Sequence, residues 1–205
     1  DLLMRTDNCV GLYFSKAHLY DAAELNYRKA YNCWNNDEKN RPTYLYINMV
    51  NHYSDVGRFK EAEKWCANAF YELFRDSGRE TADQVVKLLA PKAVEVFIKA
   101  DDPHLIGTLS CFVCMCALRM LCRRDGRGIN RGNAKRLADC ALSSCDDDIR
   151  ALYYDIVNRK EIDPASVFER ASQLKYNLQT AAYLFNRIAE FMLLTGENRK
   201  AYALS

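Results

Sequence analysis

Three groups of residues in this chain carry side chains able to do more than fold. The first is a set of nine cysteines: Cys9, Cys33, Cys66, Cys111, Cys114, Cys116, Cys122, Cys140 and Cys145. Cys111-x-x-Cys114-x-Cys116, with Cys122 beyond, invites a zinc reading, because closely spaced thiolates are common zinc ligands. On a helix, however, positions 111 and 114 share a face while 116 points elsewhere, and no second ligand pair stands at finger spacing. Cys140 and Cys145 form a weaker pair. Most of the nine sit among apolar residues and their number is odd, which argues against a secreted disulfide framework. The expectation is reduced thiols buried in a core, in a cytosolic or nuclear protein, with no metal or other cofactor.

The second group is the histidines, His18, His52 and His104, one of which a cysteine nucleophile would need as its base. His18 reads as a turn residue, His52 as a helix flank and His104 as the first turn of an apolar helix. None accompanies a nucleophile-bearing turn such as G-x-S-x-G. Surface or capping roles are expected for all three, and the chain is not expected to be an enzyme. The third group is basic: Arg119, Arg123, Arg124, Arg127, Arg131, Lys135 and Arg136, interleaved with Gly126, Gly128 and Gly132. Glycines let backbone N–H groups approach an anion and arginines grip one bidentately. The stretch lacks G-x-x-x-x-G-K-[ST] and follows no strand. It therefore reads first as a solvated loop over Arg123–Gly132. An acidic protein partner held by Arg123, Arg124, Arg127 and Arg131 comes second, and nucleic acid last.

Helices must position all of these. With only 8 Gly and 4 Pro in 205 residues, the chain has too few turn formers for an all-β fold. Its 49% hydrophobic and 27% charged residues match an ordinary globular balance, and a net charge of +2 gives no bulk attraction to nucleic acid or membrane. The longest apolar run, Ile106 to Leu118, is broken by Gly107, Thr108 and Ser110 and is too short to span a bilayer. The clearest pattern runs from Thr43 to Leu73. Tyr46, Met49, Val50 and Tyr53 fall on one helical face, Gly57 ends that helix, and Ala62, Cys66, Ala69, Phe70 and Leu73 form the face of a second. The same pattern stands 39 positions earlier, with Val10, Gly11 and Phe14 matching Met49, Val50 and Tyr53, and Tyr20, Ala23, Tyr27 and Ala30 matching Phe59, Ala62, Cys66 and Ala69. His18 then occupies the place of Gly57, and Pro42 marks the start of the second copy. Phe185, Ile188, Ala189, Met192, Gly196 and Ala201 repeat the pattern near the C-terminus.

This pattern of small and large residues resembles the tetratricopeptide (TPR) repeat family. Its linker, Asn36 to Pro42, stretches the period beyond the family's usual ~34 residues. The resemblance implies an all-α fold of antiparallel helix hairpins stacked as a right-handed α-solenoid, two TPR-like hairpins over residues 1–75 and a continuing helical segment over 76–205. Helices are expected over Thr81–Ala100 (kinked or restarted at Pro91), from Pro103 to about Arg123, at Asn133–Leu142 and Asp146–Asn158, from Pro164, and over Leu178–Thr195, about nine in all. The helix ending near Arg123 is apolar almost all round, which predicts burial on every face. The last hairpin reads as cut short, so the natural protein is expected to continue past Ser205.

The resemblance also implies a partner groove lined by the first helix of each hairpin. Position by position it would show Arg5, Asn8, Leu12, Ser15 and Lys16, then Tyr44, Ile47, Asn51, Ser54 and Asp55. Asn8, Leu12 and Ile47 depart from the lysine and asparagine pattern of the family's carboxylate-clamp members. A mixed groove suits a helix or an extended segment of a partner protein with hydrophobic anchors. The expected function is a protein-interaction scaffold, part of a larger protein. The alternatives are a helical regulatory arm of a large enzyme or chromosome-associated assembly, similar in class to separase-type or meiotic scaffold proteins, and an RNA-binding helical repeat using the arginine loop. Composition fixes no oligomeric state.

Overall fold

A computed structural model of the protein describes residues 2–34, 42–76, 108–158, 164–174 and 178–205. Its contacts divide the chain into two compact units, Asp1–Asp102 and Pro103–Ser205. Among the described residues there are ten α-helices and one 3-10 turn, and no strand. The expected helix over Thr81–Ala100, the start of the helix at Pro103, and His104 lie outside the described residues.

The described residues of unit 1 form two hairpins. Helices α1 (Leu2–Lys16) and α2 (Tyr20–Cys33) pack along each other, as do α3 (Thr43–Asp55) and α4 (Phe59–Asp76), and α2 also packs on α3. The faces read from the sequence are the buried ones: Tyr46, Met49, Val50 and Tyr53 on α3, Ala62, Cys66, Ala69, Phe70 and Leu73 on α4, and Ala23, Tyr27 and Ala30 on α2. The 39-residue register extends to the turns. Arg58 N–H donates to Tyr53 O (2.8 Å) and Gly57 N–H to Ser54 O (3.4 Å), the paired bonds of a Schellman C-cap. Leu19 N–H to Phe14 O (2.9 Å) and His18 N–H to Ser15 O (3.1 Å) repeat them in the first hairpin. The left-handed residue that this cap requires is Gly57 at φ +75° in one copy and His18 at φ +60° in the other. Histidine holds there a conformation that its Cβ disfavours, with its Nδ1 2.8 Å from the Tyr20 hydroxyl.

Gly11 has a different reason. A Cβ built there would stand 2.6 Å from ring atoms of the buried Tyr27, so the small residue lets α1 lie against that ring.

The two hairpins are joined by polar groups. Glu24 on α2 accepts from Arg28 Nη2 (2.7 Å) and the Tyr53 hydroxyl (3.1 Å) with one oxygen, and from Arg58 Nη1 (2.9 Å) with the other. Arg58, placed by the turn, also binds Glu61 (2.9 Å) and lies over the Tyr53 ring. Burial pushes the Glu24 carboxyl up, but the bonds from Arg28 and Tyr53 and the charge of Arg58 outweigh it, and its pKa ends below the usual range.

His52 corrects the expectation of a surface histidine. It is 1% exposed, ringed by Tyr20, Tyr27 and Tyr53 at 6.0, 5.6 and 5.1 Å between centroids. Its Nδ1 has no hydrogen-bond partner among the described residues. Burial lowers its pKa, opposed by the charges of Glu24 and Asp55. The native state therefore keeps His52 neutral while the unfolded chain takes up a proton near the ordinary pKa of ~6.5. Stability is then fully present above that pH and falls as pH drops below it, until the lowered native pKa is passed. Urea unfolding at pH 7.5 and 5.5 is expected to show this loss, and His52→Phe to reduce it. An equal pH effect in the variant would assign the loss elsewhere. Protonation of Glu24 adds its own loss only below its ordinary pKa of 4.5.

Unit 2 is organised on α5 (Thr108–Asp125). Cys111, Val113, Cys114, Met115, Cys116, Ala117, Leu118 and Met120 are all at 0% exposure, as the lack of a polar face predicts. Around it come α6 (Arg131–Ser144), α7 (Asp147–Asn158), α8 (Pro164–Gln173), α9 (Leu178–Thr195) and α10 (Asn198–Leu204). Helices α6 and α9 pack on α5, α9 also packs on α6 and α10, and α7 packs on α8 and α10. The α9–α10 turn is a third Schellman cap, with Gly196 at φ +86°, Glu197 N–H to Met192 O (2.8 Å) and Gly196 N–H to Leu193 O (3.3 Å). Ala201 is buried, as Ala62 and Ala23 are.

The expected loop over Arg123–Gly132 shrinks to a connection over 126–130. Arg123 and Arg124 belong to the last turn of α5, Gly126–Gly128 form a 3-10 turn, and Arg131 opens α6. Asn130 explains the early start. Its side-chain oxygen accepts from Asn133 N–H (3.1 Å), an N-cap that sets the helix two residues ahead of Asn133.

Candidate binding surfaces

The cysteines are mostly enclosed. All nine are unbridged. Cys66, Cys111, Cys114, Cys116, Cys122 and Cys145 are buried, Cys33 and Cys140 half-buried, and Cys9 alone is exposed, against the expectation of a core position. Burial raises the Cys111 and Cys122 thiols to about 12, Cys145 to about 11, and Cys114 well above its ordinary value. At neutral pH burial keeps these groups in the thiol form, which is the poorer nucleophile. Cys116 and Cys145 spend their S–H on Val113 O and Leu142 O, 3.1 Å each. Among the described residues no cluster of three His, Cys, Asp or Glu is placed to hold a metal. No described helix is long and apolar enough to cross a membrane.

The groove residues implied by the repeat resemblance divide. Arg5, Leu12, Lys16 and Tyr44 are exposed, Asn51 and Asp55 half-buried. Ile47 and Ser54 are buried, at 5% and 2%, and Ser54 donates back to Val50 O. The packing of α1 and α2 on α3 leaves those two no surface to offer. Asn8 accepts from Asn48 Nδ2 (2.9 Å) and Ser15 is hydrogen-bonded to the Tyr27 hydroxyl, so both tie helices together. Arg5, Leu12, Lys16 and Tyr44 keep the surface that a partner would touch.

A second surface of unit 1 was missed by the sequence reading. Between α2 and α4 lies a cleft of about 310 Å³ whose walls include Arg28, Tyr31, Asn32, Lys64, Trp65 and Asn68. Tyr31 and Trp65 meet edge to face at 5.1 Å, with Tyr46 5.6 Å behind Trp65 and Trp34 6.4 Å from Tyr46. Residues 28 and 32 lie one turn apart, as do 64 and 68, so each helix lines the cleft with a basic side chain and a carboxamide. Tyr31 is 38% exposed. The available signal was that Trp34 and Trp65, the chain's two tryptophans, and Tyr31 stand outside the core register while their neighbours Ala30 and Cys66 fill it.

In unit 2, Arg123, Arg124, Arg127 and Arg131 do not form one cradle. Arg124 is engaged by Asp125 at 2.6 and 3.0 Å. Arg123 and Arg127 are exposed on different elements, α5 and the 3-10 turn. Arg131 instead joins Lys135, Asp139, Glu197 and Lys200 around a pocket of about 270 Å³ between α6 and α9, floored by Ala138, Tyr153, Ile188, Phe191 and Met192. Burial raises the Asp139 pKa against the pull of Lys135, and raises Tyr153 to about 12 with the help of Tyr154, Asp139 and Glu197.

Compared with protein-family models, with curated proteins and with solved structures, the chain matches none, so its likeness to tetratricopeptide repeats rests on its own residues and turns.

Proposed function

We propose that the chain is a non-catalytic, TPR-like scaffold that binds a peptide or helical segment of a partner protein. The observation that carries this reading is the α2–α4 cleft. Aromatic rings backed by packed helices are the usual anchors of protein recognition, and flanking carboxamides can pair with the backbone of an extended segment. A volume near 310 Å³ holds one or two side chains and falls at the lower end of small-ligand sites. The solvent face of α1 and α3, with Arg5, Leu12, Lys16 and Tyr44, is the competing surface. Nine unbridged thiols fit a reducing compartment, the cytosol or nucleus.

The test is a displayed peptide library screened against the full chain, with affinities of the selected peptides measured on variants. Trp65→Ala is expected to weaken binding by about 2 kcal/mol, roughly 30-fold, as loss of an aromatic anchor does. If instead Arg5→Glu, Lys16→Glu and Tyr44→Ala together abolish binding while Trp65→Ala does not, the site moves to α1 and α3. A library that yields no binder overturns the scaffold reading. An RNA ligand would show itself by affinity that falls steeply with salt.

A further inference from the structure

We propose that the pocket between α6 and α9 is a second binding site, taking one large apolar side chain from an acidic segment of a partner protein. Arg131 and Lys135 face that segment's carboxylates. The inference stands on unit 2 alone and does not require the α2–α4 cleft to bind anything.

The pocket floor selects the anchor. Ala138, Tyr153, Ile188, Phe191 and Met192 present hydrocarbon and ring surface, and at about 270 Å³ the space lies just under the range that holds a drug-sized ligand. One leucine, methionine or phenylalanine side chain is the object of matching size and chemistry.

The rim selects the charge. Lys200 is engaged by Glu197 at 2.7 Å, and Lys135 lies one helical turn from Asp139, whose carboxyl it favours. Arg131 is thus the surplus cation of the rim. It stands at the first residue of α6, where the helix dipole adds positive potential, and it shares a helix face with Lys135. A cationic segment would meet Arg131 directly. A neutral one would leave its charge unused. An acidic one completes it, and the gain is mostly in orientation and association rate, as for other rim charges.

The experiment follows the Ile188 and Met192 methyl signals of the full chain by NMR during titration. The probe is an end-blocked peptide of about ten residues with one central Phe among Glu and Ser, the length of a short docking segment. Two control peptides carry Ser for Phe, or Gln for every Glu. Saturable shifts at Ile188 and Met192 are expected with the probe, and about tenfold weaker binding with either control. Arg131→Gln with Lys135→Gln, both at exposed positions, should weaken the probe about tenfold, which is ~1.4 kcal/mol, while the methyl spectrum stays dispersed. Trp65→Ala should leave the titration unchanged, which separates this site from the α2–α4 cleft. The proposal is overturned if the two methyls do not move. It is equally overturned if the Phe-less peptide binds as well as the probe, since charge alone is then at work, or if the double variant binds undiminished.

Discussion

Ala62→Trp is expected to unfold or loosen unit 1. Ala62 is at 0% exposure in the first turn of α4, and its counterparts Ala23 and Ala201 are at 0% and 1%. Three hairpins thus place a methyl group at one point just beyond one type of turn. An indole there has no room without parting the helices, and overpacking costs roughly 1–3 kcal/mol, more where the backbone cannot yield. For a unit of this size each kcal/mol lowers Tm by about 4–8 °C. Ala62→Ser, which hardly changes volume, is the control for position against bulk. A melt unchanged by tryptophan would show that residue 62 has space to spare and that the 39-residue register does not describe the packing. Gly11→Leu should act in the same direction, since its first added carbon already meets the Tyr27 ring.

Leu118→Ala is expected to cost about 2–5 kcal/mol, the loss found when a fully enclosed leucine leaves a cavity. Leu118 is buried at 0% in the helix on which unit 2 is built. Cys114→Ala, one turn earlier and equally enclosed, removes a single sulfur atom and should cost much less. The comparison also tests the zinc reading. A structural metal would reverse the order, because losing a ligand thiolate would forfeit the metal's folding free energy. The expected outcome is that chelator leaves the denaturant midpoint unchanged and that Leu118→Ala is the worse variant.

Helix faces were legible in the sequence wherever apolar residues recur at 3.6-residue spacing and small residues mark close approach. Val50, Ala62, Ala69 and Phe70 are buried as read, and α9 spans Leu178–Thr195 as read. What escaped was set by partners far away in the chain. His52 looked like a flank residue because its own helix gives no sign that Tyr20 and Tyr27 will close over it. Ile47 and Ser54 looked available because the resemblance assigns positions within one helix and cannot see a neighbour's packing. The arginine stretch looked like one loop because its glycines drew attention away from Asn130, whose cap sends Arg131 into a helix and toward Lys200. The cleft at Tyr31 and Trp65 was invisible for a similar reason. Each ring alone reads as a surplus aromatic, and only the stacking of α2 on α3 with α4 brings them to 5.1 Å.

The distribution of thiols gives the protein a built-in gauge of its own opening. Helix α5 carries four cysteines, Cys111, Cys114, Cys116 and Cys122, all enclosed, whereas Cys9 sits in water on α1. A thiol-reactive dye added at neutral pH should label Cys9 at once and the α5 set only in molecules where that helix has left its slot. The fastest phase then belongs to Cys9, the half-buried Cys33 and Cys140 follow, and the slow labelling of the α5 set times the opening of unit 2. Mass spectrometry of the labelled peptides assigns each phase to its helix, with no residue of the natural sequence replaced.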